Sequence, residues 1–185
     1  SSEKENPLRA EKRRKLNQLR EAGVNPYPHS FERNSNVGEL LVKYDKHLLS
    51  GENTSTETFF RLAGRVMTVR SMGKASFFNL QDQSGSLQVY IRDEELSAED
   101  GSAWKNLDIG DIVGIEGFMF RTKKGELTLH AKQFKMLCKT LEPLPEKYHG
   151  LADVELKYRY RHLDLIMDPD SRKVFETRSL IVREI

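Results

Sequence analysis

The sequence holds a single cysteine, Cys138, among 185 residues. An internal disulfide is therefore excluded, and a CxxC or Cys/His zinc site has no partner residues. No apolar run approaches the ~20 residues that span a bilayer, and no signal-peptide core precedes the first domain. No HExxH is present, no carboxylate pair stands at a diagnostic spacing, and no Gly-rich phosphate loop occurs. His29, His47, His130, His149 and His162 are scattered, and Ser71 and Ser76 have no evident base. Asp108 and Asp111 read most simply as caps of a turn, and Gly110, Gly114 and Gly117 as concessions to barrel curvature. Neither a catalytic nor a metal site is expected. The default is an intracellular, cytoplasmic protein without a membrane partner. The first residue is not Met, which leaves a removed signal open.

Excess charge is also missing: 30 Lys and Arg face 28 Asp and Glu, a net +2. That balance argues weakly against a polyanion partner, but the charges are unevenly spread. Residues 1–20 hold seven basic and three acidic side chains, a net +4. Such an arm is either a grip for a polyanion or a solvated helix face.

What is present falls into three parts. Residues 1–58 read as a helical extension. A helix over Glu5–Ala22 carries Leu8, Lys12, Leu16 and Leu19 on one stripe, and Gly23 stops it. Lys12, Arg13, Arg14 and Lys15 supply its charge. A second helix starts at Asn36, with Glu39 placed for a capping box and Val37, Leu40, Leu41, Tyr44 and Leu48 on its buried face.

Residues 59–141 change to a period of two. Phe60, Leu62 and Val66 alternate with Arg61 and Arg65, then Met67 and Val69 become the apolar positions. This phase switch predicts a bulge near Val66–Met67. Further strands are expected over 75–81, 86–92, 111–122 and 126–137, with a helical insert over 96–107 anchored by Trp104. Five strands with that insert predict a mainly β chain: a Greek-key barrel of the OB type, preceded by two helices. Residues 142–185 read as a linker, a polar helix over Asp153–Ile166, a break at Asp168-Pro169-Asp170 and a last helix from about Ser171. The chain stops inside that helix and so reads as the front of a longer protein.

The outward face of the barrel is the informative feature. If the hairpin closes around Asp82–Gly85, Gln81 lies opposite Ser86, Asn79 opposite Gln88 and Phe77 opposite Tyr90. Phe77, Asn79, Gln88 and Tyr90 then share one exposed face, and Arg70 points the same way. An exposed aromatic ring stacks a base, an amide reads a base edge, and a guanidinium holds phosphate or a carbonyl oxygen. Glu126, at the mouth of the last hairpin, can accept from a ring N–H. Lys74, Arg121, Lys123 and Lys124 are placed for backbone phosphates.

Several stretches together resemble the lysyl-tRNA synthetases of the bacterial class II type. They are Met72–Phe77, Asn79–Asp82, Asp108–Asp111 and Lys124–Leu127 in the barrel. Leu16, Leu19-Arg20, Gly23-Val24 and Pro26 match at the front, and Leu144–Asp153 with Tyr158–Arg161 and Leu163–Leu165 at the back. The aspartyl and asparaginyl enzymes share the barrel, and a general single-strand-binding OB protein is the rival of another class.

The resemblance implies an anticodon-binding region that reads the U-rich anticodon stem-loop of tRNA(Lys). It carries the family's stacking Phe onto Phe77, its base-reading Gln onto Gln88, its Arg onto Arg70 and its hairpin Glu onto Glu126. It further implies a homodimeric parent that activates lysine with ATP and Mg²⁺. Arg178–Ile185 resemble the start of the first class II motif, so these 185 residues are expected to bind no cofactor and to be inactive alone.

Overall fold

The computed structural model describes residues 6–54, 58–145 and 153–185. The expected helix start at Glu5 and the stretch Glu146–Ala152 lie outside them. Helix α1 spans Pro7–Glu21. Pro7 occupies a first-turn position whose N–H would have no intrahelical partner. Asn6 caps the helix, its Oδ1 accepting from Leu8 N at 3.0 Å. Gly23, at φ +75°, ends it. Lys12, Leu16 and Leu19 are buried, but Leu8 is 60% exposed. The expected stripe is therefore one turn shorter, and a lysine belongs to it.

Helix α2 spans Val37–Tyr44 and forms the capping box expected from Asn36 and Glu39. Its N-terminus has a further partner that no local pattern shows. Asp82, in the turn between the second and third strands, accepts from Val37 N through Oδ2 at 2.8 Å. Gly38 N donates to Ser84 Oγ of the same turn at 2.8 Å. Asp82 Oδ1 meanwhile accepts from Ser84 N at 2.7 Å and Gly85 N at 3.0 Å. One carboxylate thus shapes the turn and seats the helix on it.

The strands are β1 (Phe60–Met72), β2 (Ala75–Gln81), β3 (Ser86–Arg92), β4 (Ile112–Arg121) and β5 (Leu127–Cys138). They close in the order β1-β2-β3-β5-β4, with β3 and β5 parallel and every other pair antiparallel. The bulge falls where the phase switch predicts it, between Val66 and Thr68. A second bulge lies at Glu116/Gly117. A Cβ on Gly117 would stand 1.9 Å from His130 O, so only glycine lets the two strands approach there.

Leu62, Val66, Phe78, Leu80, Val89, Ile91, Ile115, Met119 and Leu129 fill the barrel. Helix α3, Ala98–Lys105, bridges β3 and β4. Its Trp104 closes the barrel against Phe78 and Phe134, with ring centroids 5.6 and 5.5 Å away. The indole N–H donates to Asp93 Oδ1 at 2.9 Å, which satisfies the one polar atom that burial would strand.

Beneath α1 lies a buried ionic cluster. The Lys139 and Asp111 side chains are both 0% exposed and 2.9 Å apart. Lys139 also reaches Asp108, which takes Lys15 on its other oxygen at 2.5 Å. Asp111 accepts from Asp108 N at 2.7 Å and Thr140 N at 2.8 Å. Burial pushes the Asp108 carboxyl up, and Lys139 and Lys15 outweigh it, leaving the carboxyl below its ordinary range. The capping role expected of Asp111 is real, but the cluster it belongs to is the larger fact.

The chain divides into two compact units, Ser1–Pro143 and Leu144–Ile185. In the second, helices α4 (Val154–Arg159), α5 (Arg161–Met167) and α6 (Pro169–Glu184) follow one another. The single helix expected over 153–166 is broken at Tyr160, whose φ of −112° and ψ of 48° leave the helical region. Asp168 caps α6, which therefore begins at Pro169 rather than Ser171. Among the described residues no helix is long and apolar enough to cross a membrane.

Removing one partner of a fully buried pair leaves an uncompensated charge. Lys139→Ala is expected to destabilise the protein by about 3–5 kcal/mol in urea unfolding. A loss below about 1 kcal/mol, the range of an exposed pair, would show that the cluster does not hold α1 and the barrel together.

Candidate nucleic-acid interface

Successive side chains of a strand point to opposite faces, so register alone decides which residues meet outside the barrel. The observed pairs are Gln81 with Ser86, Asn79 with Gln88, and Phe77 with Tyr90. Arg70 pairs with Phe77 across β1 and β2. The row continues from Tyr90 to His130 on β5 and from His130 to Phe118 on β4. The next row runs Asn79, Gln88, Thr128, Phe120. Glu126 is exposed two residues before Thr128. Arg70, Phe77 and Gln88 thus lie within two adjacent rows of one face, and Glu126 stands beyond them, just before β5.

That face is a connected aromatic platform. Tyr90 is its hub, with ring centroids 5.0 Å from Phe77, 5.9 Å from Phe120 and 4.9 Å from His130. Phe118 lies 4.9 Å from His130. Such pairs are favourable beyond their buried area and hold each other's rotamers. Gln88 Nε2 donates to Thr128 Oγ1 at 2.9 Å. Of these residues the sequence reading placed Phe77 and Tyr90 outside but missed Phe118, Phe120 and His130. β4 alternates without a break, but Phe118-Met119-Phe120 is apolar on both faces, so its outward residues are not legible from alternation alone; the second bulge adds Lys132 to β5 and shifts the phase of that strand. On β5, Thr128-x-His130-x-Lys132 carried the signal.

A small ionic group borders the platform. Glu95 Oε2 lies 2.7 Å from His130 Nε2 and 2.6 Å from Lys132 Nζ. Burial raises the Glu95 carboxyl, and Lys132 and His130 more than offset it, so it sits below its ordinary range. Burial lowers the His130 ring, against the pull of Glu95. A neutral ring that bonds a carboxylate through Nε2 carries its proton there, so His130 donates to Glu95. Lys132 Nζ also lies 5.7 Å from the centre of the Phe118 ring.

The basic residues expected to meet a nucleic-acid backbone divide sharply. Lys12 is 7% exposed and donates to Ile109 O at 3.3 Å; burial, more than the neighbouring Asp108, sets its amine below the ordinary lysine range. Lys15 is held by Asp108. Arg121 donates to Leu48 O and Gly125 O, each at 2.6 Å, and pairs with Asp45. These three cations face the protein, not solvent, because each satisfies a carbonyl or carboxylate that the fold brings beneath it. Arg14 pairs with Glu11 at 2.6 Å, and Arg13 is likewise engaged. The arm has two halves: the inner one, with Lys12 and Lys15, docks on the barrel, and the outer one, with Arg13 and Arg14, is exposed. Lys74, Lys123 and Lys124 are exposed. They sit in the β1–β2 and β4–β5 hairpins, at opposite ends of the aromatic face.

Residues 60–137 match the OB-fold nucleic acid binding domain family. A lysine–tRNA ligase from Moorella thermoacetica is 46% identical over 183 residues, 99% of this chain and 36% of that relative. The lysine–tRNA ligase of Staphylococcus haemolyticus is 43% identical over 186 residues, 100% of this chain and 38% of that relative. That of Oceanobacillus iheyensis is 44% identical over 174 residues. Over nearly its whole length the chain is similar to lysine–tRNA ligases. It spans little more than a third of the length of these relatives and corresponds to their N-terminal region. Among the described residues, no group of three or more His, Cys, Asp or Glu is placed to hold a metal ion.

The His130 ring gives a pH test. Its folded-state value lies below the ordinary value of about 6.5, so the folded protein binds fewer protons than the unfolded chain. Its stabilising share is complete above about pH 6.5 and is lost as pH falls through the folded-state value. His130→Asn should flatten that part of the stability profile. Glu95→Gln should lower the His130 value further in an NMR titration, since the carboxylate is what raises it. An upward shift in that variant would overturn the assignment.

Proposed function

We propose that the barrel reads the U-rich anticodon loop of tRNA(Lys) for a lysine–tRNA ligase. The observation that carries this reading is the single outward face on which Arg70 and the half-buried Phe77 and Tyr90 stand side by side, with Gln88 in the adjoining row and Glu126 just before β5. Phe77 stacks a base. Gln88 meets a base edge, Arg70 holds a phosphate or a carbonyl oxygen, and Glu126 accepts a ring N–H from a neighbouring base. Lys74, Lys123 and Lys124 hold phosphates where the strand enters and leaves the face. The buried cations of α1 take no part.

The whole protein, on this reading, is a cytoplasmic homodimer that activates lysine with ATP and Mg²⁺ and esterifies tRNA(Lys). Those steps fall to the two thirds of the relatives that this chain does not span.

Phe77→Ala should weaken binding to a UUU anticodon stem-loop by about 1–3 kcal/mol, read by fluorescence anisotropy. Unchanged affinity would sink the stacking role. Binding should weaken with salt, and Lys124→Ala should reduce the slope of log K against log salt by about one. Competition between stem-loops that differ only at the third anticodon base separates this reading from an aspartyl or asparaginyl relative. Equal affinity for unstructured oligonucleotides of any sequence would mark a general single-strand binder instead.

A further inference from the structure

Two hydrogen bonds behind the aromatic face settle the orientation of one amide. Thr128 Oγ1 lies 2.9 Å from Gln88 Nε2 and 3.2 Å from Glu126 O. A hydroxyl has one hydrogen to give, and a carbonyl oxygen only accepts. The Thr128 proton therefore goes to Glu126 O, and the Thr128 oxygen is left to accept. Only the NH₂ end of Gln88 can satisfy it. The Gln88 Oε1 is turned away from Thr128, and among the described residues it has no hydrogen-bond partner. Thr128 itself is 0% exposed, so it cannot touch a nucleotide.

We propose that Thr128 is a specificity-determining positioning residue: it pins the Gln88 amide so that the face offers a fixed acceptor to a base held on Phe77. This rests on the anticodon reading given above. Uracil presents N3–H, a donor, between two carbonyls, whereas cytosine presents N3 as a bare acceptor. A freely turning glutamine would exchange its ends and satisfy either pyrimidine. A pinned one sets Oε1 against the cytosine lone pair, leaving two buried acceptors face to face, which is the costly arrangement. The stacking ring holds the base equally well in both cases, because every base has a π-face. Discrimination between the pyrimidines then depends on what holds the amide, and that is the Thr128 hydroxyl. Glu126 enters through its backbone carbonyl, which orients the hydroxyl whatever its side chain does.

The test uses this chain with three stem-loops carrying UUU, UCU or no anticodon uridine. Thr128→Val keeps the shape and removes the acceptor; Thr128→Ser keeps the hydroxyl. Thr128→Val should reduce the preference for UUU over UCU by about tenfold, while Thr128→Ser retains it. A merely structural role would weaken both loops alike. In the free protein, one Gln88 side-chain amide proton should be shifted downfield by its bond to Thr128 Oγ1 in the wild type and should move to its ordinary position in Thr128→Val. An unchanged preference in Thr128→Val, with Gln88→Ala having lost it, overturns the role of Thr128 alone. An unchanged preference in Gln88→Ala overturns the base-edge reading itself, and the proposal with it.

Discussion

The Asp82 carboxylate is the interaction on which the rest of unit Ser1–Pro143 depends. Its Oδ1 shapes the β2–β3 turn and its Oδ2 holds the first N–H of α2. The turn sets the register of the hairpin, and the register sets every cross-strand pair beyond it. A slip of one residue would turn Phe77 and Tyr90 into the barrel and Phe78 and Val89 out of it. Both hydrophobic faces would then be wrong at once. The same carboxylate ties helix to hairpin, so α2 cannot dock unless the register is right. Local and tertiary preferences agree at this point, which is the mark of a sequence that specifies one structure.

Charge on this molecule is sorted by depth. At the base of the barrel, Lys15 of α1 and Lys139, just after β5, neutralise Asp108 and Asp111 and fix the arm. On the platform, Glu95 binds both Lys132 and His130, so the centre of the face offers rings rather than free charge. Exposed cations stand in the two hairpins at its ends: Lys74, 4.0 Å from Glu94, in one, and Lys123 and Lys124 in the other. A backbone can thus be drawn to the rim while the bases meet neutral rings. The net +2 of the sequence hides this arrangement, because the sum weighs a buried lysine and an exposed one alike.

Most of the fold was legible because it rests on period and turn chemistry. The alternation in Phe60–Val69 located a bulge, and Asp82–Gly85 located a hairpin to the residue. Phe77, Gln88 and Arg70 were placed outside by parity, before any resemblance was invoked. What stayed hidden depended on distance in the chain. Lys139 lies 31 residues from Asp108, and nothing in the sequence around it marks that lysine as buried. Likewise Lys12 and Arg121 read as surface cations until the carbonyls beneath them are known. His130 was passed over for a related reason. A lone histidine is uninformative until the strand beside it is identified, and β3 pairs with β5 in parallel across more than thirty intervening residues.

The division of labour on the face follows from the same physics. Stacking gives affinity without choice, since all four bases offer a similar surface. The phosphate contacts proposed for the hairpins would be equally indifferent to sequence. Choice requires a polar group whose direction is fixed before the base arrives, because a mobile one adapts to whatever it meets. Arg70 and Glu126 are exposed and end long, rotatable stems. Gln88 is half-buried between β2 and β5 and is held by a hydroxyl that is itself held. On the proposed reading, a polar group held before the base arrives is the one able to tell one pyrimidine from another. The order of Gln88 comes from a buried residue that no nucleotide reaches.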